Sequence, residues 1–284
     1  KDVTNAMRAH ILTAAVPYIK QYTDQYVVVK YGGNAMIDEE LKKSVMKDLM
    51  LLQLVGVKVV LVHGGGPAIN STLDAMKIES RFANGLRVTD EATMDVVQMV
   101  LAGKVNKGLV ADLTDLGGKA VGLCGVDGNM IQVHKQNDEL GYVGSIDTID
   151  TSIIDDVISR GYIPVISSIG MGADGKTYNI NADTVAAKIA GALKAETMVA
   201  MTNIDGVLRD VHDPSSLISK ITMAEADQLK AEGIIAGGMI PKVDCCLEAI
   251  KSGAQKVFII NGEIPHAILI ELLTDEGLGT MFVK

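Results

Sequence analysis

The most informative stretch of this 284-residue chain is Tyr26-Val27-Val28-Val29-Lys30-Tyr31-Gly32-Gly33. Its valines favour a strand that is buried on both faces of a parallel sheet. Lys30 follows them, and the two glycines allow a sharp turn that exposes backbone N–H groups. A cation beside free amides at the carboxyl end of a buried strand is typical of an anion-binding site in an open α/β sheet.

A second apolar strand ends in the same way. Residues 57–62 lead into His63 and then into Gly64-Gly65-Gly66, and Pro67 favours the first turn of a following helix. The carboxyl ends of parallel strands lie at one edge of a sheet, where ligands bind in α/β proteins. The two glycine-rich loops therefore predict one polyanionic ligand held between them.

Strand and helix patterns alternate along the rest of the chain. Helices are predicted over residues 4–22 (interrupted near 17), 38–55, 90–116 (interrupted near 103), 151–160, 182–195, 223–232, a segment ending near 252, and 266–274. Strands are predicted over residues 119–125, 162–169, 197–203, 255–261 and 280–283, with a hairpin over 131–147. This alternation predicts an α/β fold: a three-layer αβα sandwich with a central, mostly parallel sheet and two lobes.

The composition argues against several classes of function. A net charge of −9, an aromatic content of 4% and the lack of Trp disfavour nucleic-acid binding, which needs positive charge and stacking rings. The three cysteines (Cys124, Cys245 and Cys246) do not suggest a disulfide framework, and no Cys or His cluster predicts a metal site. No apolar run of about 18 residues predicts a membrane span. We therefore expect a cytoplasmic protein.

Residues 170–177 match both the Walker A pattern and G-x-G-x-x-G. Both motifs require a helix that opens directly at the loop. Here Asp174-Gly175 is a turn signal, and residues 176–180 alternate like a returning strand. We predict a hairpin at this position and not a phosphate-binding loop.

Charged and amide side chains stand close to the predicted loops. Lys30 could be a solvated surface lysine, but its position after three valines and before two glycines favours a functional role. Lys242 lies in the first turn of a helix, where the helix dipole disfavours a cation unless an anion neutralises both. Asn181 alone would cap the helix that follows it, so Asn179 and Asp183 exceed what capping requires.

Arg87 follows the turn Asn84-Gly85 and can grip a carboxylate through two N–H groups, although a surface salt bridge would explain it as well. No Ser-His-Asp arrangement is evident. Two separated lysines, two glycine loops and no evident general base favour phosphoryl transfer, which depends on positioning and charge neutralisation. A carboxylate nucleophile would need no base, because it is already ionised at neutral pH.

Taken together, five motifs resemble the amino acid kinase family, in its branch that acts on N-acetylglutamate. The resemblance extends from about Tyr18 onward, with the motifs in the family's order. The motifs are Val28-Val29-Lys30-Tyr31-Gly32-Gly33-Asn34-Ala35-Met36, Val62-His63-Gly64-Gly65-Gly66-Pro67, Asn84-Gly85-Leu86-Arg87-Val88-Thr89, Asn179-Ile180-Asn181-Ala182-Asp183 and Gly237-Gly238-Met239-Ile240-Pro241-Lys242-Val243-Asp244.

The resemblance implies phosphorylation by ATP, with Mg²⁺, of the side-chain carboxylate of N-acetyl-L-glutamate, giving an acyl phosphate in arginine biosynthesis. Lys30 and Lys242 would stabilise the transferring phosphoryl group, and Asp183 would orient both lysines. The amides of Gly33 and Gly65 would bind developing charge. Arg87 would bind the α-carboxylate of acetylglutamate, within a set of substrate-binding residues consisting of Gly65, Gly66, Arg87 and Asn179.

The resemblance also implies a division of the chain and a mode of regulation. The three parts are an N-terminal helical arm (residues 1–25), an acetylglutamate-binding lobe (26–194) and an ATP-binding lobe (195–284). The arm and the sequence near the carboxyl end resemble those of arginine-inhibited members, which are homohexamers built as trimers of dimers. We therefore expect a hexamer inhibited by L-arginine, with Tyr18, Glu271 and Gly277 among the arginine contacts.

Two other functions are compatible with parts of this pattern. Another member of the family could act on a related acid such as glutamate or aspartate, although the motif around Arg87 fits the acetylated substrate. A catalytically silent arginine sensor would not need Lys30, Asp183 and Lys242 together. A nitrogen-signalling protein is a further possible partner, as for some relatives.

Overall fold

The computed structural model describes residues 4–284. Its strands are β1 (Tyr26–Tyr31), β2 (Lys58–His63), β3 (Arg81–Ala83), β4 (Leu86–Val88), β5 (Ala120–Cys124), β6 (Ile131–Lys135), β7 (Gly144–Ile149), β8 (Ile163–Ser167), β9 (Ile169–Gly172), β10 (Thr177–Asn179), β11 (Thr197–Thr202), β12 (Lys220–Thr222), β13 (Lys256–Asn261) and β14 (Thr280–Val283). Its α-helices are α1 (Asn5–Ala14), α2 (Val16–Tyr22), α3 (Glu39–Leu54), α4 (Gly66–Ala75), α5 (Glu91–Gln98), α6 (Asn106–Asp115), α7 (Ser152–Ser159), α8 (Ala182–Ala192), α9 (Met223–Ala231), α10 (Met239–Ser252) and α11 (Ala267–Leu273).

An eight-stranded sheet in the order β12-β14-β13-β11-β1-β2-β8-β5 forms the centre of the structure. Every neighbouring pair in it is parallel except β13 and β14. In the register, Tyr31 pairs with His63, and His63 pairs with Ser167, so the carboxyl ends of β1, β2 and β8 are level. The mostly parallel sheet predicted from the sequence is confirmed, and β1 lies near its middle.

Both faces of this sheet are covered, which confirms the three-layer arrangement. Val28 and Val60 point into one core, together with apolar residues of α7, α8, α9 and α10. Val27 and Val29 point into the other core, with residues of α3, α6 and α11. The alternation follows from the period of two in a strand, and burial on both faces explains why β1 carries consecutive valines.

The N-terminal helical segment is interrupted, as expected, but the break lies at Ala15 and not near Pro17, where the sequence predicted it. Pro17 fits the first turn of α2, where no backbone N–H needs a partner. No residue of α1 is buried, whereas Tyr22 of α2 is. Residues 1–3 of the predicted arm lie outside the described residues.

Three local features differ from the expectations. The helical region after Glu91 is not interrupted at Gly103 but continues through a π-helical segment, Met99–Val105. The predicted strand 162–169 divides, because β9 leaves the central sheet for a second sheet in the order β10-β9-β6-β7. The three-residue strand β12 had no recognisable pattern.

The hairpin predicted in place of a Walker A loop is confirmed by the antiparallel pairing of β9 with β10.

No helix within residues 4–284 has the length and the apolar character required to cross a membrane.

We expect Leu61→Ala to lower the free energy of unfolding by about 2–5 kcal/mol, because Leu61 of β2 is fully buried and its truncation leaves a cavity. Leu54→Ala is the matched control, since Leu54 at the end of α3 is 75% exposed and should change stability by less than about 0.5 kcal/mol. Urea unfolding followed by circular dichroism measures both. Equal midpoints for the two variants would contradict the described core.

Candidate active site

A cavity of about 280 Å³ opens at the carboxyl ends of β1 and β2, between the loops that contain the two glycine runs. It is bordered by the amino-terminal ends of α4 and α8 and by the hairpin of β3 and β4. Seven of the residues singled out in the sequence line this one cavity: Lys30, Gly33, Gly65, Gly66, Arg87, Asn179 and Asp183. The structure therefore brings together residues that are up to 153 positions apart in the chain.

Lys30 and Asp183 form an ion pair with 3.0 Å between Nζ and Oδ1. The Lys30 residue is only 9% exposed, so its charge depends on a nearby partner. Asn181 caps α8 by accepting hydrogen bonds from the backbone N–H groups of Asp183 (2.8 Å) and Thr184 (3.2 Å). The Asp183 carboxylate is thereby left free for the lysine, as the sequence predicts.

The glycines allow close approach of side chains to the backbone. A Cβ atom on Gly32 would lie 3.1 Å from Lys30 Nζ, and one on Gly65 would lie 2.7 Å from Leu101 Cδ2. Gly33 adopts a φ of +75°, which favours glycine. Within the described residues the N–H groups of Gly65 and Gly66 donate no hydrogen bond, so both are available to an anion in the cavity.

Arg87 is 7% exposed, and its guanidinium is held from three sides. Nη1 donates to Ser80 Oγ (2.5 Å), Nη2 donates to Asn70 Oδ1 (2.7 Å), and the ring of Phe82 lies 4.7 Å away. Burial lowers the pKa of Arg87. Among residues 4–284 no carboxylate oxygen lies within 4.0 Å of it. The surface salt bridge considered above is therefore absent from the described chain, and Arg87 presents a buried, uncompensated cation to the cavity.

Asn179 is joined to the strand that carries Arg87. Its Nδ2 lies 3.4 Å from Thr89 Oγ1, and the Thr89 hydroxyl donates to the carbonyl oxygen of Arg87 over 2.8 Å. Asn179 is thereby connected to the backbone of Arg87, and both residues line the same cavity.

Asn106 has no predicted role from the sequence, and His63 is marked there only by its position before the glycines. Both are buried beneath the second glycine loop. His63 Nδ1 lies 2.8 Å from the carbonyl oxygen of Gly64, and Asn106 Nδ2 lies 3.1 Å from His63 Nε2. Burial lowers the pKa of His63 to about 4, so the ring is neutral. A histidine directly after a four-residue apolar run was the available signal.

Lys242 does not line the first cavity. It lines a larger one of about 580 Å³ at the carboxyl ends of β11 and β13. The two cavities are linked through α8 and α10, where Thr184 Oγ1 lies 4.0 Å from Cys245 Sγ. Burial raises the pKa of Cys245, Asp183 raises it further by its charge, and Lys242 lowers it, so both charges act on this thiol.

The residues predicted to contact arginine also lie near one another. The Tyr18 hydroxyl donates to the Asp275 carboxylate. Glu271 accepts hydrogen bonds from the N–H groups of Leu278 (2.7 Å) and Gly279 (3.1 Å), and burial raises its pKa. A Cβ on Gly277 would lie 3.1 Å from Glu271 Oε1. The turn after α11 thus folds around the Glu271 carboxylate, and Tyr18 of α2 contacts this turn through Asp275.

The site has the composition of a phosphotransferase centre: lysine and arginine cations, free amides and a carboxylate that holds a lysine. Residues 25–261 match the amino acid kinase family, and the chain belongs to that family. The fold and the class of enzyme predicted from the sequence are thereby confirmed.

The chain is 51% identical to the acetylglutamate kinase of Brachyspira hyodysenteriae, over 100% of this chain and 99% of that protein. It is 54% identical to the acetylglutamate kinase of Clostridium kluyveri, over 96% of this chain and 97% of that protein. Among solved structures, the N-acetylglutamate synthase of Neisseria gonorrhoeae, in complex with coenzyme A and N-acetyl-glutamate, is 27% identical with a TM-score of 0.84. The match covers 97% of this chain but 63% of the synthase, so the chain corresponds to part of that protein.

We expect the wild-type protein to lose about 3 kcal/mol of stability through His63 as the pH falls from about 6.5 to about 4. In that window the unfolded chain takes up a proton on His63, whereas the folded chain keeps the ring neutral, so acid favours unfolding. His63→Asn lacks this titration and should show a flatter stability curve.

Chemical unfolding at a series of pH values measures this difference, with the exposed His10→Asn as a control that follows the wild-type curve. Parallel curves for wild type and His63→Asn would contradict this expectation, because they would mean that the ring takes up its proton at the same pH in the folded and the unfolded chain.

Proposed function

We propose that this protein transfers the γ-phosphoryl group of ATP to the side-chain carboxylate of N-acetyl-L-glutamate, as a step of arginine biosynthesis. The observation that carries the proposal is the buried Arg87 guanidinium, which faces the same cavity as Lys30 and has no carboxylate partner within residues 4–284. A substrate with two carboxylates satisfies both cations at once. Relatives that match this chain over nearly their whole length are named for this reaction. The related synthase was solved with N-acetyl-glutamate bound.

The substrate binds through its non-reacting groups. Arg87 pairs with the α-carboxylate, because a guanidinium fixed by Asn70 and Ser80 still has N–H groups that point elsewhere. Asn179 and the free N–H of Gly66 bind the amide and carboxylate oxygens. The acetyl group removes the charge of the α-amino group, so the cavity needs no anion for it. The side-chain carboxylate is thereby directed toward Gly65 and Lys30.

Phosphoryl transfer then depends on charge neutralisation. Lys30, held by Asp183, approaches the transferring group from the substrate side, and Lys242 approaches it from the larger cavity. The N–H groups of Gly33 and Gly65 bind the charge that develops on the oxygens. The attacking carboxylate is ionised at neutral pH, so no general base is required.

ATP fits the larger cavity by its size and by its lining. The volume of about 580 Å³ lies within the usual range for ligand pockets, and apolar walls alternate with a few polar groups. The lining residues include Ile204, Val207, Met239, Asn203, Asp205 and Lys242. Mg²⁺ neutralises phosphate charge in kinases and is held by the phosphates with one or two carboxylates, for which Asp183 and Asp205 are the candidates.

The two cavities support the division into a substrate lobe (26–194) and a nucleotide lobe (195–284), because the first is lined by residues between Lys30 and Asp183 and the second by residues between Asn203 and Asn261. One continuous sheet joins the lobes, because β1 of the first pairs with β11 of the second. Closure of the lobes would bring the two substrates together across the ends of these strands.

The reaction is tested by trapping the acyl phosphate as its hydroxamate, with ATP, Mg²⁺ and N-acetylglutamate. Turnover that free glutamate neither supports nor inhibits agrees with the proposal. Turnover with glutamate or aspartate alone would keep the family and overturn the substrate. Arginine binding without any turnover would indicate a silent sensor.

In this assay we expect Arg87→Lys to raise the KM for N-acetylglutamate roughly 10- to 100-fold, with a smaller effect on kcat, because an ammonium cannot reproduce the bidentate contact. Arg81→Lys is the matched control on the same hairpin, since Arg81 is exposed and should keep the wild-type KM. An unchanged KM in Arg87→Lys would remove this residue from substrate binding.

We further propose that L-arginine inhibits the enzyme and binds around Tyr18, Glu271 and Gly277. Glu271 supplies a partly buried carboxylate that suits a guanidinium, and its hydrogen bonds tie it to the turn after α11. The exposed apolar residues Met7, Ile11 and Leu12 of α1 suit an interface between copies of this chain. We propose that such contacts join dimers into a hexamer. The nitrogen-signalling partner and the cytoplasmic location stay predictions.

Glu271→Gln should raise the arginine concentration for half inhibition roughly tenfold or more, because it removes the charge that pairs with the guanidinium. Removal of residues 1–14, which contain α1, should instead dissociate the hexamer into dimers, so that the mass of the particle falls by far more than the mass of the deleted residues. Enzyme assays with arginine and light scattering measure the two effects.

The two variants serve as controls for each other, since Glu271→Gln should keep the wild-type mass. Unchanged inhibition in Glu271→Gln would overturn the arginine site. A truncated protein that keeps the same number of subunits as the wild type would overturn the role of α1 in assembly.

A further inference from the structure

A chain of hydrogen bonds that begins at an exposed lysine and continues through the buried Asn106 and His63 ends at the second glycine loop. At its start, Lys107 Nζ donates to Asn106 Oδ1 over 3.2 Å. Asn106 Nδ2 donates to the carbonyl oxygen of Val165 over 2.8 Å and faces His63 Nε2 at 3.1 Å. An ammonium group can only donate and a carbonyl can only accept, so the Asn106 amide has one orientation that satisfies both neighbours.

That orientation determines which nitrogen of His63 carries the proton. Asn106 Nδ2 cannot accept a proton from His63 Nε2, whereas the Gly64 carbonyl oxygen beside Nδ1 can only accept one. The proton of the neutral ring therefore lies on Nδ1, where it is donated to the carbonyl oxygen of Gly64 over 2.8 Å. His63 is fully buried, so no solvent competes for either nitrogen.

The Gly64 carbonyl shares a planar trans peptide with the N–H of Gly65, and the two groups point in opposite directions. The hydrogen bond to His63 holds the carbonyl toward the buried ring. It therefore turns the Gly65 N–H away from the ring, and Gly65 lines the cavity that also contains Lys30 and Arg87. That N–H has no acceptor within residues 4–284.

The π-helical segment Met99–Val105 contacts Gly65 and also leads directly into Asn106. Its Leu101 packs so closely that a Cβ on Gly65 would lie 2.7 Å from Leu101 Cδ2. Asn106, which contacts His63, is the residue that follows the segment. Single π-helical turns inside α-helices are frequent at functional sites, where they redirect side chains.

We propose that His63 and Asn106 are positioning residues, which hold the Gly64–Gly65 peptide so that the Gly65 N–H is preorganised for the transition state. The inference rests on the proposed function, since that function gives the Gly65 N–H a developing charge to bind. A donor fixed before the reaction costs no reorganisation when the charge develops, which is why its orientation affects kcat more than substrate binding.

The test compares His63→Leu with His63→Asn. His63→Leu removes the donor to the Gly64 carbonyl, and we expect kcat to fall roughly 10- to 100-fold while the KM for N-acetylglutamate changes less than about threefold. The Asn side chain can place an N–H donor near the position of Nδ1, so His63→Asn should recover most of the lost kcat. Equal kcat values for wild type and His63→Leu would overturn the proposal.

A second measurement needs no substrate. In protein with ¹⁵N-labelled histidine rings, the signals that disappear in His63→Asn should show a protonated Nδ1 and an unprotonated Nε2. Asn106→Leu removes the donor to Nε2 and should shift this balance toward protonated Nε2, with a fall in kcat. A protonated Nε2 in the wild-type protein would overturn the proposal even if His63→Leu does not fold.

The two readouts separate this inference from the proposed function. Failure of the wild-type protein to phosphorylate N-acetylglutamate would overturn the function, whereas the tautomer of His63 is measured in the resting protein. If the substrate is another acid, the same comparison of kcat is made with that acid.

Discussion

The ion pair between Lys30 and Asp183 is the interaction on which the arrangement of the site depends. Lys30 is the last residue but one of β1, whose valines are fully buried, and it is itself 9% exposed. An ammonium group at that depth is costly unless a carboxylate lies beside it. The amino-terminal end of α8 must therefore lie over the carboxyl end of β1, where Asp183 reaches Lys30 at 3.0 Å.

This placement determines the position of the second lysine. Helix α10 packs against α8, with Thr184 and Cys245 in contact, and Lys242 stands one turn before that contact. The carboxylate of Asp183 and the ammonium of Lys242 both act on the Cys245 thiol. The central sheet is continuous from β2 through β1 to β11. The strand β1 and the ion pair therefore connect the cavity that contains Lys30 with the larger cavity that contains Lys242.

Glycine backbone forms much of the wall of the cavity that contains Lys30, and the loop that carries it needs support from the residues beneath. A glycine amide binds an anion well only when its peptide plane is fixed, yet glycine is the most conformationally free residue. In this chain the second loop is supported by Leu101 packed on Gly65 and by His63 bonded to the Gly64 carbonyl. Buried neutral histidine and asparagine side chains thus stabilise a loop that has no side chain of its own.

The sequence by itself determined the buried strands β1 and β2, the glycine loops that follow them, the Asn181 cap and the hairpin at Asp174-Gly175. These features depend on periodicity, on backbone preference and on neighbours within a few positions, which are all visible in a single chain. The contacts of Asn70 with Arg87 and of Asn106 with His63 were decided by the tertiary structure alone. Their partners stand 17 and 43 positions apart, and the π-helical turn that delivers Asn106 has no local signature. Only the packing of α4, α6 and the central sheet specifies which distant polar group completes each hydrogen bond.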